Sequence, residues 1–290
     1  MGIPTGWIRR QNNGERGLRL WPVGRALTLV FVGSIVIAGS VFWTLVVLLD
    51  ARKVKTETLL TSATLFDMVK LSFGVVAGAG ALVALVVAYR KQRVDEDGAL
   101  REATRLHTER FTTAVAQLGD ASPAIQLGGV HALAGLADDA PTIELRQTCI
   151  DVLCAYLRMP YTPDPGSSDQ EGHHAYLAGR EVRHTIIRLI RDHLRLPAAS
   201  PRSWQKRDFD LTNAVFDGGD LDYAEFCGGR VSFVGAEFSS GHVNFNGAKS
   251  LAGGVDFSHA KFAGGGVDFR HAEFSGGAVG FTNTKVSGGP

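Results

Sequence analysis

The chain has 290 residues, enough for about two domains, and carries 30 Lys and Arg against 29 Asp and Glu, a formal net charge of +1. That balance leaves no global field to mark a binder of nucleic acid or of a membrane surface. The three cysteines, Cys149, Cys154 and Cys227, are too few for a disulfide framework, and Cys149 and Cys154 stand five apart in a helical pattern, which supports neither a redox pair nor a zinc site.

Residues 1–25 form a basic leader with Arg9, Arg10, Arg16, Arg19 and Arg25. Residues 26–49 (ALTLVFVGSIVIAGSVFWTLVVLL) hold no charge and exceed the ~20 residues a helix needs to cross the hydrocarbon core. A loop, 50–70, leads to a second uncharged run, 71–89 (LSFGVVAGAGALVALVVAY), which Arg90, Lys91 and Arg93 close. A cleaved signal peptide has a shorter apolar region, and the second run would anchor the chain regardless. The expectation is two transmembrane helices in the plasma membrane, with the lipid bilayer as first partner. The basic residues are slightly denser at the two outer flanks than in the loop, which holds Arg52, Lys53, Lys55 and Lys70. By the positive-inside rule both termini are cytoplasmic and the loop is external. The second run contains Gly74 and Gly78 at GxxxG spacing, with Ala77 and Ala81 on a neighbouring stripe, and Ser34 and Ala38 repeat the spacing in the first. Small residues let helix backbones approach closely in lipid. Two readings stand: a hairpin of the two spans, or a homodimer through Gly74 and Gly78.

Residues 90–207 read as a cytoplasmic helical region. A charged helix runs from Arg90 to Leu118, with Gly98 as a point where it could break. Ser122 is placed as an N-cap with Pro123 at the first helical position of a helix over 124–137, and a third helix covers 142–159. The pair AIQLGGVHALAGLA and TIELRQTCIDVLCAYLRM resembles one unit of a HEAT or armadillo solenoid, which cannot bury its apolar face alone. Residues 160–179 have a loop composition; His173 and His174 sit there with Asp169 and Glu171 and are read as loop residues rather than metal ligands. The segment 181–196 is strongly amphipathic: Val182, Ile186, Leu189, Ile190 and Leu194 share a face, and Arg183, Arg188, Arg191 and Arg195 populate the rest. The preferred reading is a helix docked by its apolar side with a solvated basic face, over a helix that meets anionic lipid or nucleic acid.

From Asp208 the pattern changes. Leu211, Phe216, Leu221 and Phe226 are five apart, and then a twelve-residue unit, A-x-F-x-x-G-x-V-x-F-x-x, starts at Ala224, Ala236, Ala248, Ala260 and Ala272. Repetition at a fixed period dictates architecture. Taking each five-residue step as one side of a square coil places Leu211, Phe216, Leu221, Phe226, Phe233, Phe238, Phe245, Ser250, Phe257, Phe262, Phe269, Phe274, Phe281 and Val286 at inward side centres. The seven-residue gaps are then sides with two extra, mostly glycine, residues at a corner that needs positive φ. Ser250-Leu251 interrupts the series where Phe belongs and predicts a distorted coil.

The units Ala214-Val-Phe216 and Ala224-Glu-Phe226 match the A-x-[LF] core of the pentapeptide-repeat family, which residues 208–290 resemble. The resemblance implies a right-handed quadrilateral β-helix. The whole is then two transmembrane α-helices, an α-helical middle region and a C-terminal pentapeptide-repeat solenoid, of about three and a half coils or ~17 Å. Some members of that family mimic DNA and inhibit topoisomerase through a long acidic β-helix. Here 208–290 holds ten acidic against five basic residues over a length of only about five base pairs.

No nucleophile elbow, P-loop or HExxH motif is present, and no catalytic residue, cofactor or metal site is singled out. His242, His259 and His271 fall outside the inward positions and are read as solvent-facing. The function expected is a membrane-anchored bacterial interaction or scaffold protein with an unknown protein partner. The alternative is a DNA-mimicking factor that interacts with gyrase; nucleic acid itself is not an expected partner.

Overall fold

In the computed structural model of the protein, residues 62–162, 164–166 and 169–287 are described, together with helical backbone at 28, 32–33, 35–36, 39–40, 43–44 and 47. The chain divides into two compact units, Met1–Gly98 and Ala99–Pro290.

The run 71–89 lies in α1 (Ser62–Leu118), one 57-residue helix. Among the described residues this is the one helix long and apolar enough to cross a membrane. The first expected span, 26–49, lies largely outside the described residues. Residues 62–70, expected in the loop, are already helical, and Gly98 does not break the helix. A mid-helix glycine costs about 1 kcal/mol relative to alanine, less than the hydrogen bonds that flanking turns supply. Leu71, Phe73, Val75, Val76, Leu85 and Val87 project outward on all sides and are exposed.

In the second unit, α2 (Pro123–Asp138), α3 (Ile143–Arg158) and α4 (Gln170–Leu194) follow the end of α1. Ser122 precedes the proline that opens α2, as the sequence suggests. Thr142 Oγ1 accepts from the Leu145 N–H at 3.3 Å to start α3, and Asp169 accepts from the Gly172 N–H at 2.9 Å to start α4. α4 therefore begins ten residues earlier than the loop 160–179 allowed; residues 170–179 are helix, nucleated by that aspartate cap. Ala114 and Leu118 of α1 pack with Val130 and Leu133 of α2, Ile150, Leu153 and Leu157 of α3, and Val182, Ile186, Ile190 and Leu194 of α4, all buried. Gly129 permits the crossing of α1 and α2, since a Cβ there would meet the backbone of Ala114 and Leu118.

The solenoid consists of twelve short parallel strands. Side A is built from β1 (Phe209–Asp210) and the latter parts of β4 (Glu225–Ser232) and β7 (Lys249–Asp256), then β11 (Gly277–Gly280). Side B is β2 (Val215–Phe216), β5 (Glu237–Phe238), β8 (Lys261–Ala263) and β12 (Lys285–Ser287). Side C is β3 (Gly219–Asp220), β6 (His242–Asn244) and β9 (Gly266–Asp268), and side D is the first parts of β4 and β7 with β10 (Glu273–Phe274). The register gives the coil length: Phe216 lies beside Phe238, 22 residues on, and Phe238 beside Phe262, 24 on. The expected side centres do stack. Phe233, Phe257 and Phe281 form one column, with ring centroids 4.8 and 5.2 Å apart and planes within 5°. Phe216, Phe238 and Phe262 form a second at 5.1 and 4.8 Å, and Phe245 stacks on Phe269 at 5.1 Å. Across the core Phe257 meets Phe245 and Phe269 edge to face at 84° and 89°. Both geometries suit the ring quadrupole and add about 0.5–1.5 kcal/mol per pair to area burial.

The corners carry more positive φ than the glycine-rich gaps alone predict. Positive φ falls on the five-residue corners as well, at Asn213, Tyr223, Gly235, Gly247, His259, His271 and Asn283, the third residues of β-turns closed by bonds such as Ala214 N–H to Leu211 O at 3.1 Å. The D-to-A corner has the expected irregularity: the pairing of β4 with β7 shifts register on either side of Cys227, and Gly228 and Gly253 take positive φ. Glycine is obligatory there because the coils approach too closely for side chains. A Cβ on Gly253 would strike the carbonyl of Gly229, and one on Gly277 that of Gly253. Ser250 keeps the inward register, opposite Phe274, and is buried with its hydroxyl unpartnered, while Leu251 points out; the predicted distortion is confined to a register irregularity between Cys227 and Ala252.

Phe257→Ala is expected to cost about 3–5 kcal/mol, and Gly253→Ala to be similarly damaging, whereas Val286→Ala at the exposed end should change stability by about 0.5 kcal/mol or less. Urea unfolding midpoints of the three variants check this order.

Candidate interaction surface

The first coil is closed by the helices. Leu157 of α3 and Ile187 and Ile190 of α4 sit over Phe209, Leu211, Phe216, Leu221 and Phe226. Polar groups then rim this apolar lid. Asp217, 5 % exposed, lies just after β2. It accepts hydrogen bonds from Tyr161 Oη at 2.7 Å, Tyr176 Oη at 2.9 Å and His184 Nε2 at 3.2 Å, and Arg180 Nε lies at 3.4 Å. Burial alone would raise its pKa; the bonds from His184, Tyr161 and Tyr176 outweigh burial and hold the carboxyl well below the usual carboxylate range. Arg183, buried, lies over the Tyr161 ring at 4.4 Å and donates to the carbonyls of Leu157 at 2.8 Å and Val215 at 2.6 Å.

The basic residues of α4 are thus not a solvated face, which corrects the expectation. Arg191 pairs with Asp220 and Arg195 with Asp222, and from α3 Arg158 donates to Asp210 at 2.5 Å. Arg188 alone stays within its own helix, donating to Thr185 Oγ1 at 3.2 Å. A second polar joint fixes α4 to α2: Trp204, fully buried, stacks on His193 at 4.1 Å, and both donate to Asp138. Sequence reasoning missed Tyr161, Tyr176, Trp204 and Asp217, whose partners lie 30 to 70 residues away. The one local signal was the surplus of arginine on α4 facing a first coil rich in aspartate.

These joints are structural. Asp217 has every contact directed at the protein's own donors, and among the described residues no group of three or more His, Cys, Asp or Glu is arranged to hold a metal. His173 pairs with Asp164 at 2.7 Å, at the start of α4. Cys149 and Cys154 are buried, their thiols pushed up to about 11 and about 12 by burial, which keeps them protonated and unreactive. His242, His259 and His271 are exposed.

Three surfaces remain for recognition. The outer walls carry charged ladders in register: Glu237, Lys261 and Lys285 on side B, with Glu237 and Lys261 3.4 Å apart, and Glu225, Lys249 and Glu273 on side D. Among the described residues, the last coil exposes Phe274, Phe281 and Val286, the latter two lining a recess of about 730 Å³. On α1, Gly74 and Gly78 lie in open space, with no atom within 4 Å of where a Cβ would stand.

Because the folded-state pKa of Asp217 is depressed, its contribution is complete above the unfolded value of about 4 and is lost as pH falls below it. Asp217→Asn is expected to cost about 2–4 kcal/mol at pH 7. The gap from wild type should narrow on acidification below pH 4, as chemical denaturation at a series of pH values would show. Compared with known proteins, the chain matches no family model, no curated protein and no solved structure.

Proposed function

We propose that the protein is a membrane-anchored interaction or scaffold protein whose solenoid, a divergent pentapeptide-repeat module of about three turns, binds a protein partner through its outer walls. The observation that carries this reading is the division of charge in the solenoid. The aspartates of the first coil are consumed by arginines of the helical cap, and the walls beyond it show rungs of both signs, Glu237, Lys261 and Lys285 on side B and Glu225, Lys249 and Glu273 on side D. A mixed-sign, regular wall suits another protein surface. It gives little support to DNA mimicry, which needs a continuous acidic stripe: Asp208 accepts from the Arg230 N–H at 2.7 Å, Asp268 is forked by Arg270 at 2.7 Å, and Asp256 is engaged by the Ser258 N–H at 2.8 Å.

The anchor is the exposed apolar run 71–89, with a second span at 26–49, both termini cytoplasmic and the chain multi-pass in a bacterial plasma membrane. Gly74 and Gly78 are a second contact, a helix pair in lipid between two copies of the chain. No catalytic step, cofactor or metal is part of the proposal.

Full-length protein should stay in native membranes through an alkaline carbonate wash, and affinity purification with mass spectrometry should recover a partner that Lys249→Glu with Lys261→Glu abolishes while the circular dichroism is unchanged. Release by carbonate would remove the anchor from the reading. Recovery of the partner by the charge-reversed walls would remove the walls, and recovery of gyrase subunits would replace the scaffold with the DNA-mimic alternative.

A further inference from the structure

Three histidines of α4 face aspartates. His173 Nδ1 lies 2.7 Å from Asp164, His184 Nε2 3.2 Å from Asp217 and His193 Nε2 3.2 Å from Asp138. The first two bond through one ring nitrogen each, as does buried His107, whose Nε2 meets the carbonyl of Leu136 at 3.1 Å. A neutral imidazole still supplies one N–H, so each of those bonds survives the loss of a proton. His193 differs. Its Nδ1 lies 2.6 Å from the carbonyl of Leu189 while its Nε2 faces the Asp138 carboxylate. Both partners only accept, so both ring nitrogens must donate, and the assembled joint holds His193 as the imidazolium. Removing either proton would set a lone pair against an oxygen. The charged ring is also covered. It lies on the indole of Trp204, with centroids 4.1 Å apart and planes within 16°, where the aromatic quadrupole favours a cation. Trp204 is fully buried, its Nε1 donates to the other oxygen of Asp138 at 3.1 Å, and its backbone N–H donates to the carbonyl of His193 at 3.3 Å. One proton thus ties together the end of α2, the end of α4 and the segment that carries Trp204 on to β1.

We propose that this joint is a pH-sensitive clasp, closed while His193 carries two protons and loosened when it gives one up. The charged groups about the ring come from each neighbouring element. From the end of α2 there are Asp138 and the exposed Asp139, and from α3 Arg146, which donates to the carbonyls of Ala137 and Asp138 at 2.7 and 3.0 Å. On α4 itself Arg191 and Asp192 pair with each other, and Glu225 of the solenoid accepts from Gln205 Nε2 at 3.0 Å. Histidine is the one side chain of this set that ordinarily changes charge near neutrality. Loss of the proton removes a hydrogen bond and the cation over the indole in one event. The stabilisation belongs to the charged form, so it is complete at acidic pH and falls away as pH rises through neutrality. That sense is opposite to Asp217, whose contribution is lost on acidification, so the two joints of α4 respond at opposite ends of the pH range. Release is local. Gln205 Nε2 also donates to the carbonyls of Leu194 and Leu196 at 3.2 and 2.9 Å, which keeps the segment on α4 and β4 while the indole next to it comes free.

Trp204 reports on its own clasp, because a protonated imidazole in contact with an indole quenches its emission more strongly than the neutral ring. In full-length protein in detergent, Trp7→Phe, Trp21→Phe and Trp43→Phe leave Trp204 as the one tryptophan. Between about pH 5.5 and 8.5 its emission should rise about twofold in a single step. Over the same step the acrylamide quenching constant should also rise about twofold, as the buried indole becomes accessible. His193→Gln in this background should show neither change with pH, with its helical content verified by circular dichroism. His131→Gln, at an exposed position on α2, should keep both. Emission or acrylamide access that stays constant in the single-tryptophan parent would overturn the proposal, as would a step that persists in His193→Gln or disappears in His131→Gln. The parent carries no substitution in the joint, so its two curves decide the matter even where His193→Gln fails to fold. No membrane anchor or partner enters the measurement, which makes its outcome independent of the scaffold reading.

Discussion

A parallel solenoid has no natural beginning. Its first coil presents a row of unpaired backbone groups and one uncovered face of an aromatic column, and the second unit depends on how that face is closed. Here α3 and α4 close it with Leu157, Ile187 and Ile190, and the rim is sealed by aspartates of the coil meeting arginines and tyrosines of the helices. The helices, for their part, leave an apolar flank that only the coil covers. Neither layer would bury its face alone, so they form one core, continuous from Ala114 to Ala260.

How much of this was legible in the sequence follows from the range of each interaction. The phenylalanine register was readable because the coil is its own neighbour: the residue that stacks on Phe233 is the residue 24 places on, and the spacing is written in the chain. The starts of α2 and α3 were readable because their signals are local: the proline after Ser122, whose own side chain makes no cap bond, and Thr142, which caps the N–H three residues on. Asp217 was not, since nothing near it announces that Tyr161, Tyr176 and His184 will converge on it. The arginines of α4 were read as solvated for the same reason: a helix shows its face, but only the fold shows what faces it. The D-to-A corner was half legible. Its glycines take the positive φ that a corner needs, but their second reason, the close approach of the carbonyl of the coil below, is a contact between residues 24 apart.

The long apolar helix and the solenoid support the proposed role by different routes. α1 offers apolar side chains on every side where 71–89 runs, which water does not favour and lipid does. The solenoid presents rigid walls whose chemistry repeats every strand spacing, a surface that holds side chains at fixed intervals without spending entropy to order them. Both properties suit the scaffold role proposed above.

The coil length carries an evolutionary consequence. After the first coil the chain returns to the same corner every 24 residues, and the glycine column, the phenylalanine columns and the turn residues share that phase. Insertion or loss of one residue in a wall would throw every later side chain onto the wrong face, whereas gain or loss of a full 24-residue segment would leave each column intact. Heritable change in the size of this domain is therefore quantised: it lengthens or shortens by whole coils, about 4.8 Å at a time, while its cross-section and the pattern of its walls stay constant.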